Sequence, residues 1–481
     1  MPYRDMRDYL AALEQHNLLK RVTREVDHNW EVACLAKWMY QALPVEQRFG
    51  LYFQNVKGSK IPVVTGALGA SPQSVALALQ CDVDRINDKI VDALRCLKKP
   101  NLVNVGVCQD VVLTGDQARL DSLPIVTWTP GKDKAPYITT IVVTRDHDTG
   151  IPNMGVYRTM VRDPRSVVIN LAPGRQGFRN VKTWTDKGKK APIAWVTATE
   201  PAIHLATVAN LPYGKDEMEF AGGLKGEPIN LVNCKTIDLR VPAMAEIIIE
   251  GEIAPDDLDY EGPFGEFAGY MGPVEKRPVA TITAIAHRRD PIFYGYTSQM
   301  PPSESTTVQS LMNAGVILHM MRDQIGDQAV HDVWIDLTFG GLLAHGVVAI
   351  TPQFPGHGKR VGRTIADITT LKRVTVVDAD IDIRDQTHVD WALNSRFSPQ
   401  RDTVVIDDCY VPIQMDPSVR DAAGNVTPGS KLVLDATQKI DSGAFSLPPK
   451  AMMMKALDVW KGCDLPHFQV PKRANLRLEK S

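Results

Sequence analysis

The chain has 481 residues, more than a single hydrophobic core usually serves, so we expect two or three domains. The composition is 44% hydrophobic and 23% charged, which is typical of a globular protein. The formal net charge of -2 gives no reason to expect nucleic acid or an anionic membrane as a partner.

The pattern of apolar residues and cysteines indicates a cytoplasmic protein. No apolar run approaches the length of a membrane span, and MPYRDMRDYL lacks the apolar core of a signal peptide. The 7 cysteines are scattered without a CxxC pair, which is typical of reduced thiols. We therefore expect no zinc site with cysteine ligands.

The first third of the chain mixes helices with short strands. Apolar residues recur at near-helical spacing in YRDMRDYLAALEQHNLL and EVACLAKWMYQAL, and a helix opens at the Ser-Pro of SPQSVALALQ. LYFQNV and IPVVTGAL have the composition of buried strands. The polar stretch LKKPNLVNVG predicts that an N-terminal α/β domain, 1–106, ends there.

Strands dominate the next segment, 107–302. They are separated by turns rich in Gly, Pro and Asp, and the apolar examples are YITTIVVTRD, RSVVINLAP, APIAWVTAT, AEIIIEGEIA and VATITAIAHRRD. Many strands joined by turns predict a sheet closed on itself, a barrel or sandwich. We therefore expect a barrel-like domain over 107–302.

Strands alternate with helices from 303 to 445, which predicts a C-terminal α/β domain and a mixed α+β fold for the whole chain. The strands are VHDVWIDLTF, HGVVAITP, RVTVVDADIDI and DTVVIDD, and the helices include HGKRVGRTIADITTL and THVDWALNSRF. The remaining 446–481 is predicted as a short helix and polar arm that dock on a neighbouring subunit.

The common catalytic signatures are missing. There is no Walker loop, GxGxxG, GxSxG or HExxH, so nucleotide, hydrolase and zinc-protease functions have no support. The 11 histidines form no HxH or HxxxH pair, which gives no support to a histidine metal cage.

The stretch EGPFGEF places Glu261 and Glu266 on either side of a Gly-Pro-Phe-Gly turn, and Pro263 excludes a helical reason for that spacing. A tight turn could bring both carboxylates to one point and push their pKa values apart, which suits a proton donor. The alternative is a solvated loop with two surface charges, which this segment alone favours.

IPNMGVYRTM places Asn153 and Arg158 five residues apart. In a strand that odd spacing directs side chains to opposite faces, so the segment is irregular or bulged if both act together. Arg158 stands among apolar neighbours and is either a bidentate clamp on a carboxylate or phosphate or part of a structural ion pair.

Two further segments carry clustered charges. LPYGKDEMEFAGGL holds Asp216, Glu217 and Glu219, whose oxygens suit Mg²⁺ or Mn²⁺, although a solvated acidic loop is favoured on sequence alone. In PGHGKR, Lys359 and Arg360 lie at the start of a predicted helix, where they could bind a phosphate. A solvent-exposed basic first turn is at least as well supported.

The acidic stretch VDADIDIRD is best explained structurally. It follows a clearly predicted strand and could ligate a metal, cap the next helix, or pair with Arg384 and Arg396. We favour the two structural roles, capping and ion pairing, over metal binding.

Taken together, these segments resemble the UbiD family of prenylated-FMN-dependent decarboxylases. EGPFGE and the DEMEFAGG block are specific to that family, whereas PGHGKR is a weak match by itself. The matching segments follow the family's order from residue 153 to 439 and are NMGVYR, ATVANLPYGKDEMEFAGGLKGEP, EGPFGE, PGHGKRV, VDADIDIRD with WALNSRF, and LDATQK.

The resemblance implies a carboxy-lyase that performs reversible non-oxidative decarboxylation of an aromatic or α,β-unsaturated acid. By that resemblance Arg158 holds the substrate carboxylate, Glu266 delivers the proton that replaces CO2, and Glu261 tunes both. A donor glutamate needs a raised pKa, which a dry pocket and a neighbouring carboxylate supply.

The resemblance also implies prenylated FMN, Mn²⁺ (or Mg²⁺) and K⁺ (or Na⁺) as cofactors. Asn153, Gln176 and Glu217 match the metal ligands, with the Gln176 amide in LAPGRQGF where the family has a histidine. K⁺ would take backbone oxygens of 206–209 and the Glu217 carboxylate. The cofactor-binding positions are Asn153, Met154, Val156, Tyr157, Arg158, Arg175, Gln176, Glu217 and Lys359.

The expected partners are an aryl or acrylic acid, CO2, a flavin prenyltransferase that supplies the cofactor, and further copies in a homodimer or homohexamer. Pocket walls could come from Phe264, Phe267, Tyr270, Met300 or the loop 338–345. The alternative function, motivated by the missing histidine, is a non-catalytic assembly subunit that has lost full cofactor binding. The intact Arg158–Glu261–Glu266 trio favours the enzyme.

Overall fold

The computed structural model describes residues 2–211, 214–339, 345–409, 417–422, 424–425, 427–440, 443 and 445–479. The chain divides into two compact units, 1–316 with 337–341 and 317–336 with 342–481. Among the described residues, no helix is long and apolar enough to cross a lipid bilayer.

The first unit contains seven complete helices within its described residues and the beginning of an eighth. The helices are α1 (Met6–Gln15), α2 (Glu31–Ala42), α3 (Pro72–Leu79), α4 (Ile86–Arg95), α5 (Gln176–Thr185), α6 (Pro201–Ala206), α7 (Glu217–Lys225) and α8 (Glu304–His319). Helix α1 is amphipathic. Asp5 caps it by accepting from the Asp8 amide, and Tyr9 and Leu13 on its inner face are buried.

The strands of the first unit are β1 (Leu19–Val22), β2 (Gly50–Phe53), β3 (Val63–Thr65), β4 (Asn101–Leu102), β5 (Val111–Thr114), β6 (Tyr137–Ile138), β7 (Ile141–Arg145), β8 (Pro152–Val156), β9 (Thr159–Asp163), β10 (Ser166–Ile169), β11 (Ala191–Thr197), β12 (Asn230–Asn233), β13 (Arg240–Pro242), β14 (Ile247–Glu261), β15 (Glu275–His287) and β16 (Phe293–Tyr294).

In the described chain these strands form three sheets. The largest follows the order β6-β9-β10-β15-β14-β11-β7-β8, with β5 paired to β15, and the others are β1-β2-β3-β16 and β13-β12-β4. The long antiparallel pair of β14 and β15 runs from Ile247 opposite His287 to Glu261 opposite Glu275. Apolar side chains of the large sheet, such as Trp195 and Ile249, are buried in the main core. The pair therefore carries Glu261 from the core to a sheet end.

The expected closure of the central sheet into a barrel is wrong. Over the described residues the large sheet is an open path that ends at β6 and β8. The reason lies at the outer edge of β8, where side chains take the place of a further strand. The Glu217 carboxylate accepts from the Met154 amide at 3.1 Å, and the Gln176 amide donates to the Pro152 carbonyl at 3.2 Å. These bonds satisfy backbone groups that a closing strand would use.

The second unit is an α/β structure in its described residues. Its strands are β17 (Val330–Ile335), β18 (His345–Ile350), β19 (Arg373–Asp378), β20 (Thr403–Cys409) and β21 (Gly429–Ala436), in the order β17-β18-β19-β21-β20. The central strands β18, β19 and β21 are parallel, and both edge strands are antiparallel. The helices are α9 (His357–Ile368), α10 (Gln386–Arg396), α11 (Pro399–Asp402), α12 (Lys450–Lys461) and α13 (Lys472–Leu478).

The mixed α+β class is confirmed, with two local differences from the sequence interpretation. The segment that contains LDATQK is a central strand, β21, which the pattern did not indicate. The predicted polar arm after α12 includes a second helix, α13, whose Arg473 pairs with Asp385 at 2.5 Å.

Candidate active site

Arg158 lies in the short connection between β8 and β9, whereas Asn153 lies inside β8. The two residues are therefore not bound by the alternation of faces along one strand. The Arg158 carbonyl accepts from the Asn170 amide at 3.0 Å, which fixes the backbone of the connection. The side chain of Arg158 is 8% exposed, so its guanidinium is almost fully enclosed by protein.

The EGPFGEF segment begins at the last residue of β14 and folds back on itself. Gly262 has φ +95°, and a Cβ there would lie 2.6 Å from the Pro273 carbonyl oxygen, so only glycine fits. The Glu266 amide donates to the Tyr270 carbonyl at 2.9 Å, which closes the turn. This geometry orients both glutamates toward Arg158.

Arg158 joins the two glutamates. Its Nη2 donates to Glu261 Oε2 at 2.6 Å, and its Nη1 contacts Glu266 Oε1. The Glu261 side chain is fully buried and that of Glu266 is 13% exposed. The solvated-loop interpretation of EGPFGEF is therefore wrong, because both carboxylates belong to an enclosed ion-pair cluster.

Tyr137 completes the cluster from the start of β6. Its hydroxyl donates to Glu261 Oε1 at 3.0 Å, and its ring packs on Phe264 with centroids 4.2 Å apart. Burial raises the pKa of the Tyr137 phenol, which keeps it a proton-bearing donor. Glu261 thus accepts one bond on each oxygen and is held rigidly.

One guanidinium nitrogen of Arg158 contacts no acceptor. Within the described residues, Nε and Nη1 are both buried without a regular hydrogen bond, but Nη1 contacts the Glu266 carboxylate whereas Nε has no acceptor. A buried charged donor without an acceptor is costly, so this nitrogen marks a position for an oxygen that the protein itself does not provide. A bound carboxylate or a flavin oxygen would satisfy it.

Glu266 borders a cavity of about 690 Å³. This volume lies in the usual range for small-molecule sites. Thr129 Oγ1 and Gln299 Nε2, from two residues that border the cavity, are buried and have no partner in the described part of the chain. Tyr270 and Met300, two of the expected pocket walls, line it; Phe264 and Phe267 are not among the lining residues.

A second group of polar residues converges on β8. Glu217 is the first residue of α7, Gln176 is the first residue of α5, and both reach the β8 backbone as described above. Asn153, between their two contact points, is buried, and its Nδ2 donates to the Tyr157 hydroxyl at 3.4 Å. The structure therefore brings together the three residues expected to bind a metal.

The donor set fits a divalent cation. Glu217 is a buried carboxylate that has no cationic partner among the described residues, and burial raises its pKa to about 7. Amide oxygens of Asn153 and Gln176 with one carboxylate form an oxygen set that suits Mg²⁺ or Mn²⁺. Asp216 has a structural role, because its Oδ1 caps α7 by accepting from the Met218 amide at 2.7 Å.

The remaining expected cofactor contacts lie in several places. Met154 and Val156 belong to β8, and the Tyr157 hydroxyl accepts from the Gly177 amide at 3.2 Å. Arg175 is exposed just before α5. Lys359 lies in α9 of the second unit and is partly buried there. Of the loop 338–345, residues 340–344 lie outside the described residues.

The acidic stretch VDADIDIRD takes structural roles. Arg396 pairs with Asp378 and Asp380, each at 2.7 Å, and Arg384 pairs with Asp332 at 2.5 Å. The expected pairing with Arg396 is confirmed, whereas Arg384 pairs outside the stretch, with Asp332 of β17.

Three site residues were missed by the sequence interpretation. Tyr137 is 124 residues from its partner Glu261, and Asp133 accepts from the Gly265 amide at 3.1 Å across 132 residues. Lys37, in α2, lines the same cavity as Glu266. No local pattern joins such distant positions, so only the fold brings them together.

Family models match most of the chain. The N-terminal, Rift-related and C-terminal domains of 3-octaprenyl-4-hydroxybenzoate carboxy-lyase (UbiD) match residues 10–94, 101–301 and 306–436. The chain therefore belongs to the UbiD family of carboxy-lyases.

Individual relatives agree over nearly full length. A protein of Synechocystis sp. is 30% identical over 91% of this chain and 90% of its own. The UbiD-class enzyme HmfF from Pelotomaculum thermopropionicum, solved with FMN, is 32% identical with a TM-score of 0.83, covering 94% of this chain and 99% of that one. An evolved dimeric form of HmfF was solved with prenylated FMN (31% identical, TM-score 0.81, 93% and 97% covered).

A vanillic acid decarboxylase from Sedimentibacter hydroxybenzoicus is more distant in sequence but equally close in fold. It is 26% identical with a TM-score of 0.83, and the match covers 96% of this chain and all of that one. This chain thus shares its mixed α+β fold with a UbiD-class enzyme and with a decarboxylase of an aromatic acid.

Proposed function

We propose that this chain catalyses the reversible, non-oxidative decarboxylation of an aromatic or α,β-unsaturated carboxylic acid with prenylated FMN. The observation that carries the proposal is the enclosed Arg158, which bridges Glu261 and Glu266 and keeps one buried N–H without an acceptor. Membership in a carboxy-lyase family gives independent support.

Arg158 positions the substrate. Its guanidinium is planar and forms directional bonds along several edges, so two edges can hold the glutamates while Nε receives a carboxylate oxygen. Because Glu261 and Tyr137 fix the guanidinium plane, the direction of that remaining N–H is set before substrate arrives. A preorganised donor loses little free energy to reorganisation when it binds.

Glu266 and Glu261 have different surroundings, which supports different roles. Glu261 is fully buried and accepts from Arg158 and Tyr137, so its role is to orient Arg158. Glu266 borders the cavity and is partly exposed. Glu266 can therefore deliver a proton to the carbon that has lost CO2 and recover one from water.

The flavin and ions would be held by the residues gathered at β8. Prenylated FMN supplies, when bound, the electron sink for breaking the carbon–carbon bond. Asn153, Gln176 and Glu217 would hold Mn²⁺ or Mg²⁺ near its phosphate, and backbone oxygens of 206–209 with Glu217 would hold K⁺ or Na⁺. The flavin complexes of HmfF support the flavin, and the buried Glu217 carboxylate, which has no cationic partner among the described residues, supports a bound cation.

The expected domain layout belongs to the same proposal. Segments 1–106, 107–302 and 303–445 would be the N-terminal, flavin-binding and oligomerisation domains. The tail 446–481 would dock on a neighbouring subunit of a homodimer or homohexamer. Exposed apolar side chains on the tail, including Met452, Val459 and Phe468, support a docking role. A non-catalytic assembly subunit is not favoured, because the chain resembles decarboxylases over nearly its full length.

The test is turnover after cofactor loading. The protein is co-expressed with a flavin prenyltransferase, its absorption spectrum and metal content are measured, and CO2 release is followed with a panel of aryl and acrylic acids. We expect a bound modified flavin and CO2 release from at least one acid. A loaded protein that neither releases CO2 nor exchanges deuterium with any member of the panel contradicts the proposal.

A further inference from the structure

The cavity beside Glu266 contains a lysine without a counter-ion. Lys37, in α2, donates from Nζ to the Met300 carbonyl at 3.2 Å and forms no ion pair with any carboxylate of the described chain. An ammonium has three N–H groups, so two remain for another acceptor. Burial lowers the pKa of Lys37 to about 7, although the side chain is only partly buried by its solvent exposure.

Other donors share the cavity with Lys37. The Gln299 side chain is nearly fully buried, its Oε1 accepts from the Ser298 amide at 3.2 Å, and its Nε2 has no partner within the described residues. Lys132 also lines the cavity. Glu266 is the one carboxylate among the described lining residues, and it is already in contact with Arg158. The described lining therefore has two cationic side chains and one unpartnered amide donor for a single carboxylate.

The rest of the lining is apolar and aromatic. Trp38, Tyr270, Met271 and Met300 border the cavity, and its volume of about 690 Å³ suits a molecule of drug-like size. Such a wall accepts the face of an aromatic ring, while the donors accept an oxygen attached to that ring.

We propose that Lys37, assisted by the Gln299 amide, binds a second anionic oxygen group of the substrate, a carboxylate or phenolate in addition to the carboxylate held by Arg158. This rests on the proposed function and makes its substrate class an aryl acid with two acidic oxygen groups. An acid with only one such group leaves the Lys37 ammonium without an anion and the buried Gln299 amide donor without an acceptor. Sites built in that way discriminate strongly against the ligand that lacks the partner group.

Binding of two ligands that differ only in one charge tests the inference. Titration calorimetry of the flavin-loaded protein compares benzene-1,4-dicarboxylate with its monomethyl ester, which has a similar shape and one anionic group fewer. We expect the diacid to bind tighter by on the order of tenfold or more, the usual effect of a hydrogen bond to a charged group. Lys37→Met should reduce that preference to near unity, and Lys37→Arg should keep most of it.

Gln41→Met is the matched control. Gln41 is on the same helix, and its Nε2 donates to the same Met300 carbonyl at 3.2 Å, but it carries no charge. If Lys37 only anchored Met300, Gln41→Met and Lys37→Met would change binding alike. We expect Gln41→Met to keep the preference for the diacid. Comparing 4-hydroxybenzoate with 4-methoxybenzoate in the same titration shows whether an acidic phenol serves as well as the second carboxylate.

Binding and turnover separate the inference from the function on which it rests. Equal affinity of the wild type for the diacid and its ester, or a preference that survives Lys37→Met, overturns the role of Lys37 even if the protein releases CO2 from other acids. A Lys37-dependent preference supports that role even if no acid is decarboxylated, in which case the proposed function alone fails.

Discussion

Each unit of this protein contains a buried arginine held by two carboxylates, and the two clusters differ in what they leave unsatisfied. In the second unit, Arg396 donates to Asp378 at 2.7 Å and to both oxygens of Asp380 at 2.8 and 2.7 Å. The Gln438 amide also donates to Asp378, at 2.7 Å. In the first unit, Arg158 reaches Glu261 and Glu266 but retains a buried Nε without a partner.

The two clusters differ in how many of their buried donors have a hydrogen-bond acceptor, and this difference distinguishes a structural ion pair from a reactive one. Both arginine side chains are enclosed, at 6% and 8% exposed, so burial alone does not distinguish them. What distinguishes the Arg158 cluster is the spare donor and a carboxylate, Glu266, that borders a cavity. A saturated cluster stabilises the fold, whereas an unsaturated one keeps binding capacity for a ligand.

The largest expected effect is on stability in the second unit. Arg396→Met leaves Asp378 and Asp380 as two buried carboxylates without their cation, which should lower the free energy of unfolding by about 3–5 kcal/mol. Denaturant unfolding followed by far-UV circular dichroism measures this loss. Turnover per folded molecule should stay at the wild-type value. An unchanged unfolding midpoint would show that Arg396 is not the stabilising element described here.

In the first unit, Arg158→Lys should act mainly on turnover. Lysine keeps the charge but cannot donate in one plane to two glutamates and a substrate oxygen, so kcat/KM should fall about 10²–10³-fold, as when one transition-state donor is removed. Arg396→Lys is the matched control and should lower stability while leaving kcat/KM unchanged. Equal kinetic losses in both variants would remove the distinction between the clusters.

Tyr137→Phe tests whether Glu261 must be held in place. The change removes one hydrogen bond to a buried carboxylate, and we expect kcat to fall about tenfold with KM little altered. Tyr3→Phe, whose hydroxyl donates to the Leu77 carbonyl at 3.2 Å, is the control and should keep the wild-type kcat. A Tyr137→Phe enzyme with the wild-type kcat would remove Tyr137 from the cluster's function.

The smallest effect concerns pH and should appear in stability alone. Burial lowers the pKa of His345 to about 4; Arg373 beside it acts in the same direction, and Asp336 and Asp390 oppose it. The unfolded histidine therefore binds a proton below about pH 6.5 and the folded one does not until about pH 4, so acid favours unfolding. From pH 7 to 5.5 this one group should cost about 1 kcal/mol of stability. His345→Asn should flatten the measured pH dependence by that amount, and an equally steep dependence would contradict the assignment.

Short motifs in the sequence marked two parts of the site without deciding their role. The Gly-Pro-Phe-Gly turn between two glutamates and the acidic start of α7 are visible there, but each segment by itself favoured a solvated loop, and only the family resemblance suggested a site. The order of strands and helices was also largely predictable, because apolar periodicity is a local property. The strand β21 was not, since it buries the charged Lys431 and Asp435 within its apolar pattern, and Lys431 is accommodated by donating to the Thr369 carbonyl at 2.5 Å.

The sequence could not predict contacts that distant segments create. Closure of the large sheet was expected from the number of strands, but the edge of β8 is occupied by Glu217 and Gln176, 63 and 24 residues away from the backbone groups they meet. The position of Tyr137 against Glu261 and the presence of Lys37 beside Glu266 likewise follow from packing. Residue patterns suggest which chemistry is available, and packing decides which groups remain unsatisfied.

Delivery by Glu266 of the proton that replaces CO2 is the central step of the proposed reaction. The most direct measurement is deuterium incorporation from D2O into the product by the flavin-loaded protein, with Glu266→Gln as the test and the bound flavin checked by its absorption spectrum. We predict that the wild type incorporates one deuterium per turnover and that Glu266→Gln keeps the flavin but loses about 10²–10⁴-fold in rate, the usual contribution of a general acid. A Glu266→Gln protein that incorporates deuterium at the wild-type rate would contradict the claim.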